Sequence, residues 1–467
     1  MSDERALLLR TAELAADFLE GLDERPVFPR RSVDELAAAR GGPLPDEPSD
    51  PLDVVELLAR EADPGVVATA GPRYFGYVTG GALPATVGAD WLTTVWDQCA
   101  GLGVLGLSAS VAEEVVGDWL KELLGLPSTA SFAITTGCQM AHVTVLAAAR
   151  HRVLAARGWD VRDRGLAGSP PIAVVVGGLR HVTVDRALRL LGIGGEQLVV
   201  VPHDEQGRMR PEGLRSALAT LSGPTIVCAQ AGEVNTGSYD PFPEIVESVR
   251  ETDAWLHVDG AFGLWVAASP SRRHLVEGVA GADSWATDGH KWLNVPYDCG
   301  LAFCAHPEPH TLSMTMKASY FEGQGKWVRD AVDWTPESSR RARAFTVYAA
   351  LRSLGRSGVA DLVDRCCDLA ARFAAGISAL PGCELLNEVV INQVLFRFAD
   401  DETTTAVLRR VQESREAWMG GTTWEGRAAI RVSVSGWRTT EADVDRTVAA
   451  FERALADAGR PAQSSVG

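Results

Sequence analysis

Residues 170–181 read Pro-Pro-Ile-Ala-Val-Val-Val-Gly-Gly-Leu-Arg-His, and this stretch indicates the fold class. The run from Ile172 to Val176 follows two prolines and is short and apolar, which is typical of a buried strand. Two glycines then lead into a helix that is predicted from His181 to Leu191. The segment therefore predicts a strand, a turn and a helix in immediate succession.

The alternation of strand and helix continues downstream. Apolar runs predict strands at 198–201, 225–229 and 255–258, and the segments between them predict helices at 211–221 and 242–251. Repeated alternation favours a parallel α/β sheet with helices on both faces. Ligands of such sheets bind beyond the carboxyl ends of the strands, so functional residues are expected where strands end.

The remaining chain is interpreted as two flanking parts around this sheet. Residues 1–85 are helical patches separated by turns rich in proline and glycine, and they favour packing against a second subunit. Residues 86–344 form the large α/β domain, and residues 345–467 form a small α+β domain. The small domain is predicted to contain helices at 345–354, 362–380, 404–415 and 441–458 and strands at 389–398 and 429–435.

The charge balance excludes some classes of partner. The chain has 467 residues, and 44 Lys and Arg against 61 Asp and Glu give a formal net charge of −17. Nucleic acid and anionic membranes both require a cationic face, so neither is expected as a partner. An anionic ligand would need a local positive site built against this overall charge.

Compartment is predicted from processing signals and cysteines. The N-terminus lacks the basic start and apolar core of a signal peptide, and no run approaches the roughly 18 apolar residues of a membrane span. The eight cysteines include no CxxC pair, so no metal site is predicted. A disulfide framework is not expected in a chain of this size either, which favours a reduced, cytoplasmic protein.

The segment Asp288-Gly289-His290-Lys291-Trp292 is the first that suggests chemistry. Lys291 follows a histidine and lies between Trp285 and Trp292, in partly apolar surroundings. Desolvation lowers the pKa of a lysine, and a neutral amine can form a Schiff base with an aldehyde. Taken alone, the segment also fits an ordinary surface lysine.

The segment His257-Val258-Asp259-Gly260-Ala261 ends an apolar strand. A carboxylate in such a place is costly unless it meets a cation or a proton donor. A pyridinium nitrogen would be such a partner, and an aspartate that caps a turn is the structural alternative.

Two further segments lead into helices. Thr135-Thr136-Gly137-Cys138-Gln139-Met140-Ala141 offers small residues and backbone N–H groups at a helix start, which favours anion binding. Gly177-Gly178-Leu179-Arg180-His181 presents an imidazole that can stack on an aromatic ring. An ordinary loop and a packed histidine are the alternatives.

Together the four segments point to one cofactor. A lysine that binds an aldehyde, an aspartate for a ring nitrogen, a phosphate cradle and a stacking imidazole are what pyridoxal phosphate requires. The segments occur in the order cradle, imidazole, Asp259 and Lys291, and the last two are 32 positions apart (291 − 259).

With these motifs, the chain resembles the group II pyridoxal-phosphate-dependent decarboxylases, which include the aromatic amino acid and glutamate decarboxylases. The resemblance runs from about residue 72 to about residue 451. It implies fold type I, the aspartate aminotransferase-like fold, and a homodimer with the active site at its interface. It also implies an enzyme that uses pyridoxal 5'-phosphate to convert an L-amino acid into an amine and carbon dioxide.

The resemblance also implies roles for individual residues. Lys291 would form the Schiff base with the cofactor, Asp259 would keep the pyridine nitrogen protonated, and His181 would stack on the ring. The implied cofactor-binding residues further include Cys138, Gln139, Asn235, Ala261 and His290. The implied substrate-binding residues are Tyr77, Val78 and Trp327.

The sequence departs from the family pattern upstream of Asp259. Glu233 would be unfavourable beside a phosphate unless its side chain is turned away. Asn235 or Thr236 could supply the hydroxyl contact that the family usually makes there.

A second departure concerns the reaction. Between residues 320 and 341 no second tyrosine follows Tyr320, so the loop tyrosine of the decarboxylases has no evident match. An aldehyde synthase, an aminotransferase or a lyase remains an alternative, as does a non-catalytic scaffold. Arg431, expected at the start of a strand, could bind a substrate carboxylate as in aminotransferases.

Overall fold

A seven-stranded sheet forms the centre of the computed structural model, which describes residues 4–316 and 328–458. Its strands are β1 (Ser131–Thr135), β2 (Ala173–Gly177), β3 (Leu198–Val201), β4 (Thr225–Gln230), β5 (Trp255–Asp259), β6 (Ser284–Asp288) and β7 (Gly300–Cys304). The order is β1-β7-β6-β5-β4-β2-β3, and β7 runs antiparallel to both of its neighbours while the other six strands are parallel. The predicted α/β class with a mostly parallel sheet is confirmed.

Helices cover both faces of this sheet and continue through the N- and C-terminal parts. They are α1 (Glu4–Glu20), α2 (Val33–Arg40), α3 (Pro51–Ala62), α4 (Pro84–Trp96), α5 (Leu107–Leu123), α6 (Cys138–Ala155), α7 (Val161–Arg164), α8 (Val182–Leu190), α9 (Pro211–Thr220), α10 (Phe242–Arg250), α11 (Pro307–Met314), α12 (Ala344–Ser378), α13 (Asp401–Ser414) and α14 (Glu441–Ala458). Local chemistry sets several starts. Asp400, for example, caps α13 by accepting the Thr403 N–H at 2.7 Å.

The core lies on both faces of the large sheet because successive side chains of a strand point to opposite sides. In β2, Val175 belongs to one hydrophobic cluster, and Val174 and Val176 belong to the other. In β4, Val227 and Ile226 divide in the same way. Strands that are buried on both faces must be apolar throughout, which explains the continuous apolar runs of the sequence.

A second, antiparallel sheet forms in the C-terminal part. Its strands are β8 (Glu384–Leu385), β9 (Gln393–Arg397), β10 (Gly420–Trp424) and β11 (Arg427–Ser433), in the order β10-β11-β9-β8. The two helices predicted at 345–354 and 362–380 are one element, α12, with a break at Gly355 (φ 62°). Glycine tolerates this left-handed conformation at no steric cost, so the helix can change direction there. The division of the chain at residues 85 and 344 stays a proposal.

Among the helices in the described ranges, none has both the length and the apolar character that crossing a bilayer requires. All eight cysteines are free thiols.

The carboxyl ends of the parallel strands meet at one edge of the sheet. Thr135 pairs with Gly300, and Asp288 pairs with the same glycine from the other side. Gly300 is required there because a Cβ atom on it would lie 2.2 Å from the carbonyl carbon of Gly137. This close approach brings the start of α6 against the ends of β6 and β7.

Candidate active site

Lys291 and the residues before it follow the end of β6. Its ammonium group lies 3.1 Å from Oδ2 of Asp288, and the Asp288 side chain is buried. The other oxygen of Asp288 accepts the Cys138 N–H at 2.6 Å and lies 3.5 Å from Nε2 of His290. Asp288 therefore connects Lys291 to the first turn of α6.

The pKa of Lys291 is shifted in the direction opposite to the one expected from the sequence. Burial opposes its charge, but the carboxylates of Asp288 and Asp259 outweigh burial and raise the pKa of Lys291 above its ordinary value. The prediction that desolvation lowers this pKa is wrong for the protein without a ligand, because it considered the apolar neighbours and left out the carboxylate three residues away. In this arrangement the amine carries a proton that must leave before it can attack an aldehyde.

Asp259 is the last residue of β5 and is buried. Its Oδ1 accepts the Ala261 N–H at 3.0 Å, and its Oδ2 lies 3.5 Å from Nε2 of His142. Burial opposes ionisation, yet His142, His181 and Lys291 hold the pKa of Asp259 well below its usual range. The carboxylate is therefore charged at neutral pH and can hold a proton on a basic ring nitrogen.

Ala261 links the two carboxylates through its backbone. Its N–H binds Asp259, and its carbonyl oxygen accepts the N–H of Asp288 at 2.9 Å. The ends of β5 and β6 are thereby held at a fixed separation, with Asp259 and Lys291 in one hydrogen-bonded network.

His181 lies at the N-cap of α8, partly buried. Its Nδ1 contacts the hydroxyl of Thr183 at 2.7 Å. Burial lowers the pKa of His181, so the ring is neutral at physiological pH. A neutral imidazole held by its own helix start can present a flat face beside Asp259 and Lys291, both of which act on it electrostatically.

Cys138 and Gln139 form the first turn of α6. Gly137 precedes them at φ 158°, and a Cβ atom on it would point at His290 and Asp288 at 3.4 and 3.7 Å. Gln139 donates its amide to the Thr183 carbonyl at 3.2 Å, and its Oε1 is buried without a hydrogen-bond partner among the described residues. A helix start fits an anionic ligand group through its N–H groups, whereas Oε1 of Gln139 is an acceptor and contributes nothing to that fit.

The Glu233 carboxylate is bound within its own turn. Its carboxylate accepts the backbone N–H groups of Asn235 and Thr236 at 2.7 and 2.8 Å and the Asn235 amide at 2.9 Å. Burial raises the pKa of Glu233. The Asn235 amide oxygen also accepts the hydroxyl of Thr422 at 3.1 Å, so the role of Asn235 toward a phosphate stays a prediction.

His290 packs between Asp288 and a second aromatic ring. Its Nδ1 accepts the Cys299 N–H at 3.1 Å, and its ring centroid lies 4.4 Å from that of Tyr297. Burial lowers the pKa of His290, which therefore contributes hydrogen bonding rather than charge.

An aromatic stack lies at the predicted mouth. Trp418 packs between Tyr74 and Tyr77, with ring centroids 5.1 and 5.6 Å away. Tyr77 is 67% exposed, and burial, with Tyr77 and Tyr297 nearby, raises the pKa of Tyr74 to about 12. The same electrostatic contacts connect this stack with Tyr297 and hence with His290.

Two other substrate-binding predictions have different outcomes. The Val78 side chain lies in the hydrophobic core with 1% exposure, so its contact with a substrate stays a prediction that would involve the backbone. Both Tyr77 and Val78 have positive φ (53° and 57°), which is strained for side chains of this size. Trp327 and Tyr320 lie outside the described residues.

Arg431 lies in the middle of β11, so its expected position at the start of a strand is wrong. Burial lowers the pKa of Arg431, and Glu233 and Tyr77 are its nearest electrostatic partners. Its Nη1 donates to the Val234 carbonyl at 3.4 Å, longer than a usual hydrogen bond. The guanidinium thus lies between the Glu233 turn and the aromatic stack.

Four residues of this site were not assigned from the sequence. Asp288 was part of a quoted motif but had no role. His142 follows Cys138 by four positions, so helix spacing alone would have placed both on one face. His257 was also part of a quoted motif without a role, and Trp418 gives no local signal, because only the fold brings it to the site.

Three side-chain atoms of types that can bind a metal ion lie close together behind the site. The donor atoms of Cys138, His142 and Asp259 are all within 4.8 Å of one another, and all three residues are buried. The expectation of no metal site stays a prediction.

Known proteins share this sequence pattern and fold. Residues 36–399 match the model of the pyridoxal-dependent decarboxylase conserved domain. An aromatic-L-amino-acid decarboxylase of Sus scrofa is 28% identical over 460 residues, covering 93% of this chain and 92% of that protein. A 4-hydroxyphenylacetaldehyde synthase of Rhodiola rosea is 27% identical over 469 residues, with the same coverage of each.

A solved structure is similar over almost the whole chain. The crystal structure of Oryza sativa TDC with PLP and tryptamine superposes with a TM-score of 0.91 and covers 98% of this chain and 99% of that one. The sequence identity is 22%, so this likeness shows the fold and no more.

Proposed function

The chain belongs to the pyridoxal-dependent decarboxylase family, and we propose from this premise that it decarboxylates an aromatic L-amino acid. It is a pyridoxal 5'-phosphate-dependent carboxy-lyase that converts an L-amino acid into an amine and carbon dioxide. The aromatic substrate class and the roles of individual residues are the proposed part.

One observation carries the assignment of the residues. Lys291 and Asp259, on neighbouring strand ends, belong to a single network through Asp288 and the Ala261 backbone. An amine, a charged buried carboxylate and an open helix start are what the aldehyde, the ring nitrogen and the phosphate of the cofactor require. The absence of a side chain at Gly137, directly before this helix start, supports the same fit.

The bound cofactor supplies an electron sink for the electron pair that remains when the carboxylate leaves. Lys291 would bind its aldehyde carbon, and Asp259 would hold a proton at its ring nitrogen. His181 would cover one ring face as a neutral imidazole. Gln139 would direct its N–H group to the phosphate at the start of α6, with Cys138 and His290 beside it, because the Cys138 N–H is already donated to Asp288.

Asp288 controls when Lys291 becomes neutral. The Asp288→Asn variant is expected to shift the pH midpoint of yellow-band formation with pyridoxal phosphate down by about one unit. The carboxylate favours the protonated amine, so its removal lowers the pKa of Lys291 and supplies the neutral amine at lower pH. An asparagine can still accept the Cys138 N–H. The measurement is absorbance against pH after the cofactor is added to cofactor-free protein.

Asp185→Asn serves as the control for this titration. Asp185 binds Arg180 at 2.6 Å on α8, away from the ammonium of Lys291. The control is expected to keep the native midpoint. An unchanged midpoint in Asp288→Asn would mean that Asp288 does not set the proton affinity of Lys291.

The aromatic stack at the mouth supports an aromatic substrate. Tyr74, Tyr77 and Trp418 lie together, and Tyr297 connects them to His290, the residue before Lys291. Aromatic rings pack favourably on one another beyond simple burial, by about 0.5–1.5 kcal/mol per pair. The Sus scrofa relative, an aromatic-L-amino-acid decarboxylase, supports the same class.

Product analysis tests this function. L-tryptophan, L-tyrosine, L-phenylalanine and 3,4-dihydroxy-L-phenylalanine are incubated with holoprotein, with L-glutamate as the non-aromatic comparison. At least one aromatic substrate is expected to give amine and carbon dioxide in equal amounts, with kcat/KM at least tenfold above that for glutamate. A preference for glutamate would contradict the substrate class.

An aldehyde synthase is the second candidate. The Rhodiola rosea relative carries that name, and the chain has no second tyrosine between residues 320 and 341. In the same assays this reaction would yield aldehyde, ammonia and hydrogen peroxide and would consume oxygen. Detection of these products in place of the amine would identify an aldehyde synthase and contradict the decarboxylase assignment.

A homodimer with the active site at its interface is also proposed. The α4 side chains Trp91, Leu92, Val95 and Trp96 are 41–63% exposed, an apolar surface larger than isolated side chains would give. This helix starts beside the site, because the Leu83 N–H binds the carbonyl of Asn294, three residues after Lys291. A second copy that covers α4 would therefore lie next to the site.

A cytoplasmic location remains part of the proposal. Eight free cysteines favour a reducing compartment, where disulfides do not persist.

A further inference from the structure

Behind Asp259, four buried side chains form a row of polar contacts that leads away from the site. Trp255 Nε1 donates to Ser284 Oγ at 2.9 Å, and Ser284 Oγ lies 3.0 Å from Nδ1 of His257. His257 Nε2 lies 2.9 Å from Nδ1 of His142, whose Nε2 is 3.5 Å from Asp259. All five residues are at most 5% exposed, so water does not supply alternative partners.

The available hydrogen-bond donors determine which atom donates in each contact of this row. The Trp255 indole can only donate, so Ser284 Oγ accepts there and can direct its own hydrogen to Nδ1 of His257. Burial lowers the pKa of His257 to about 3, so this ring is neutral and carries one proton. With Nδ1 accepting, that proton is on Nε2 and is donated to Nδ1 of His142.

His142 must then carry its own proton on Nε2, which faces Asp259. The reverse direction would place the His142 proton on Nδ1 and turn an Nε2 lone pair against a carboxylate, which is repulsive. Cys138 Sγ, 3.4 Å from the same Nε2, stays a thiol because burial raises its pKa. The sulfur therefore contributes no competing charge.

We propose that Trp255, Ser284, His257 and His142 are positioning residues that fix an Nε2–H of His142 toward Asp259. This rests on the proposed role of Asp259 at the cofactor ring nitrogen. One carboxylate oxygen is held by the Ala261 N–H and the other by His142, so the group has one orientation in which to meet the ring. The tautomer of a histidine one step behind the site thereby adjusts cofactor binding.

The charged and titratable groups around this row come from several elements. They are Cys138 and His142 of α6, His181 before α8, His257 and Asp259 of β5, and Asp288 and Lys291 at the end of β6. A substitution of His142 is therefore expected to affect Asp259 first.

Nitrogen-15 NMR of the full-length, histidine-labelled protein without cofactor reads the tautomers directly. His142 and His257 are both expected to carry a proton on Nε2 and none on Nδ1, with assignments from the glutamine variants. A His142 that is protonated on Nδ1, or on both nitrogens, would overturn the proposal. So would one equivalent of zinc in the purified protein, because a metal would replace the Nε2 proton.

A matched pair of variants tests the effect on the cofactor. His142→Leu removes the donor, and the dissociation constant for pyridoxal phosphate is expected to rise about tenfold, as for loss of a hydrogen bond to a charged group. His142→Gln keeps an amide donor at the Nε2 position and is expected to bind within about twofold of native protein. Equal binding by native protein and the leucine variant would overturn the proposal.

Ser284→Ala provides a second test if the His142→Leu variant does not fold. It removes the hydroxyl three contacts from Asp259 and is expected to move His257 toward the Nδ1-protonated tautomer in the NMR measurement. An unchanged His257 would contradict the direction of the row. Failure of the proposed function differs from all these results, because native protein would then bind no pyridoxal phosphate while the NMR tautomers would still be measurable.

Discussion

Lys291→Arg is expected to abolish the yellow absorbance of the holoprotein and to lower kcat by about 10²–10⁴-fold. Arginine keeps a cation beside Asp288, so the fold and the cradle are retained, but a guanidinium forms no Schiff base. The expected loss is of the order seen when a covalent or acid–base group is removed, about 10²–10⁴-fold.

The readouts for Lys291→Arg are the absorbance spectrum, the borohydride-reducible band and kcat on the best substrate of the panel. Lys121→Arg is the matched control. Lys121 donates to the Ser128 carbonyl at 2.9 Å at the end of α5, away from the site, so colour and kcat should be unchanged. A persistent reducible band in Lys291→Arg would place the cofactor on another lysine.

Asp259→Asn is expected to lower kcat by about 10²–10⁴-fold while the protein stays coloured. The native carboxylate is buried and charged, and an amide in its place cannot hold a proton on the ring nitrogen. Removing one partner of a buried charged pair costs about 3–5 kcal/mol, which corresponds to this range of rates. Lys291 is untouched, so attachment of the cofactor should persist with a changed spectrum.

Asp240→Asn separates this effect from general destabilisation. Asp240 is also buried, and it accepts the N–H groups of Met209 and Gln230 at 2.7 Å each. Its replacement is expected to lower the unfolding temperature and leave kcat of the folded protein within about threefold. Equal losses of kcat in both variants would argue against a specific role for Asp259.

The sequence predicted several strands from their apolar runs, although it missed β7, which is also apolar throughout. The run in β2 and the end of β5 at Asp259 were read correctly because both faces of those strands are buried. Strands β1, β6 and β7 were not predicted. Ser131 and Thr135 in β1, and Ser284 and Asp288 in β6, are polar residues buried in the sheet, so local hydropathy does not mark those segments.

The site could be predicted from the sequence where its functional residues lie in recognisable motifs. Lys291 and Asp259 lie in motifs whose residue types indicate their roles. Some groups that act on them come from elsewhere in the chain, and His142 of α6 contacts Asp259. The raised pKa of Lys291 comes mainly from Asp288 in its own motif, a carboxylate that the interpretation from apolar neighbours left out.

The point of cofactor attachment tests the account most directly. The chain has only four lysines, Lys121, Lys291, Lys317 and Lys326. Holoprotein is reduced with borohydride, digested with trypsin and analysed by mass spectrometry. Because trypsin does not cleave after a modified lysine, the account predicts the added cofactor mass on a single peptide, 274–317, with Lys291 modified. Cofactor mass on Lys121, Lys317 or Lys326, with an unmodified peptide ending at Lys291, would contradict it.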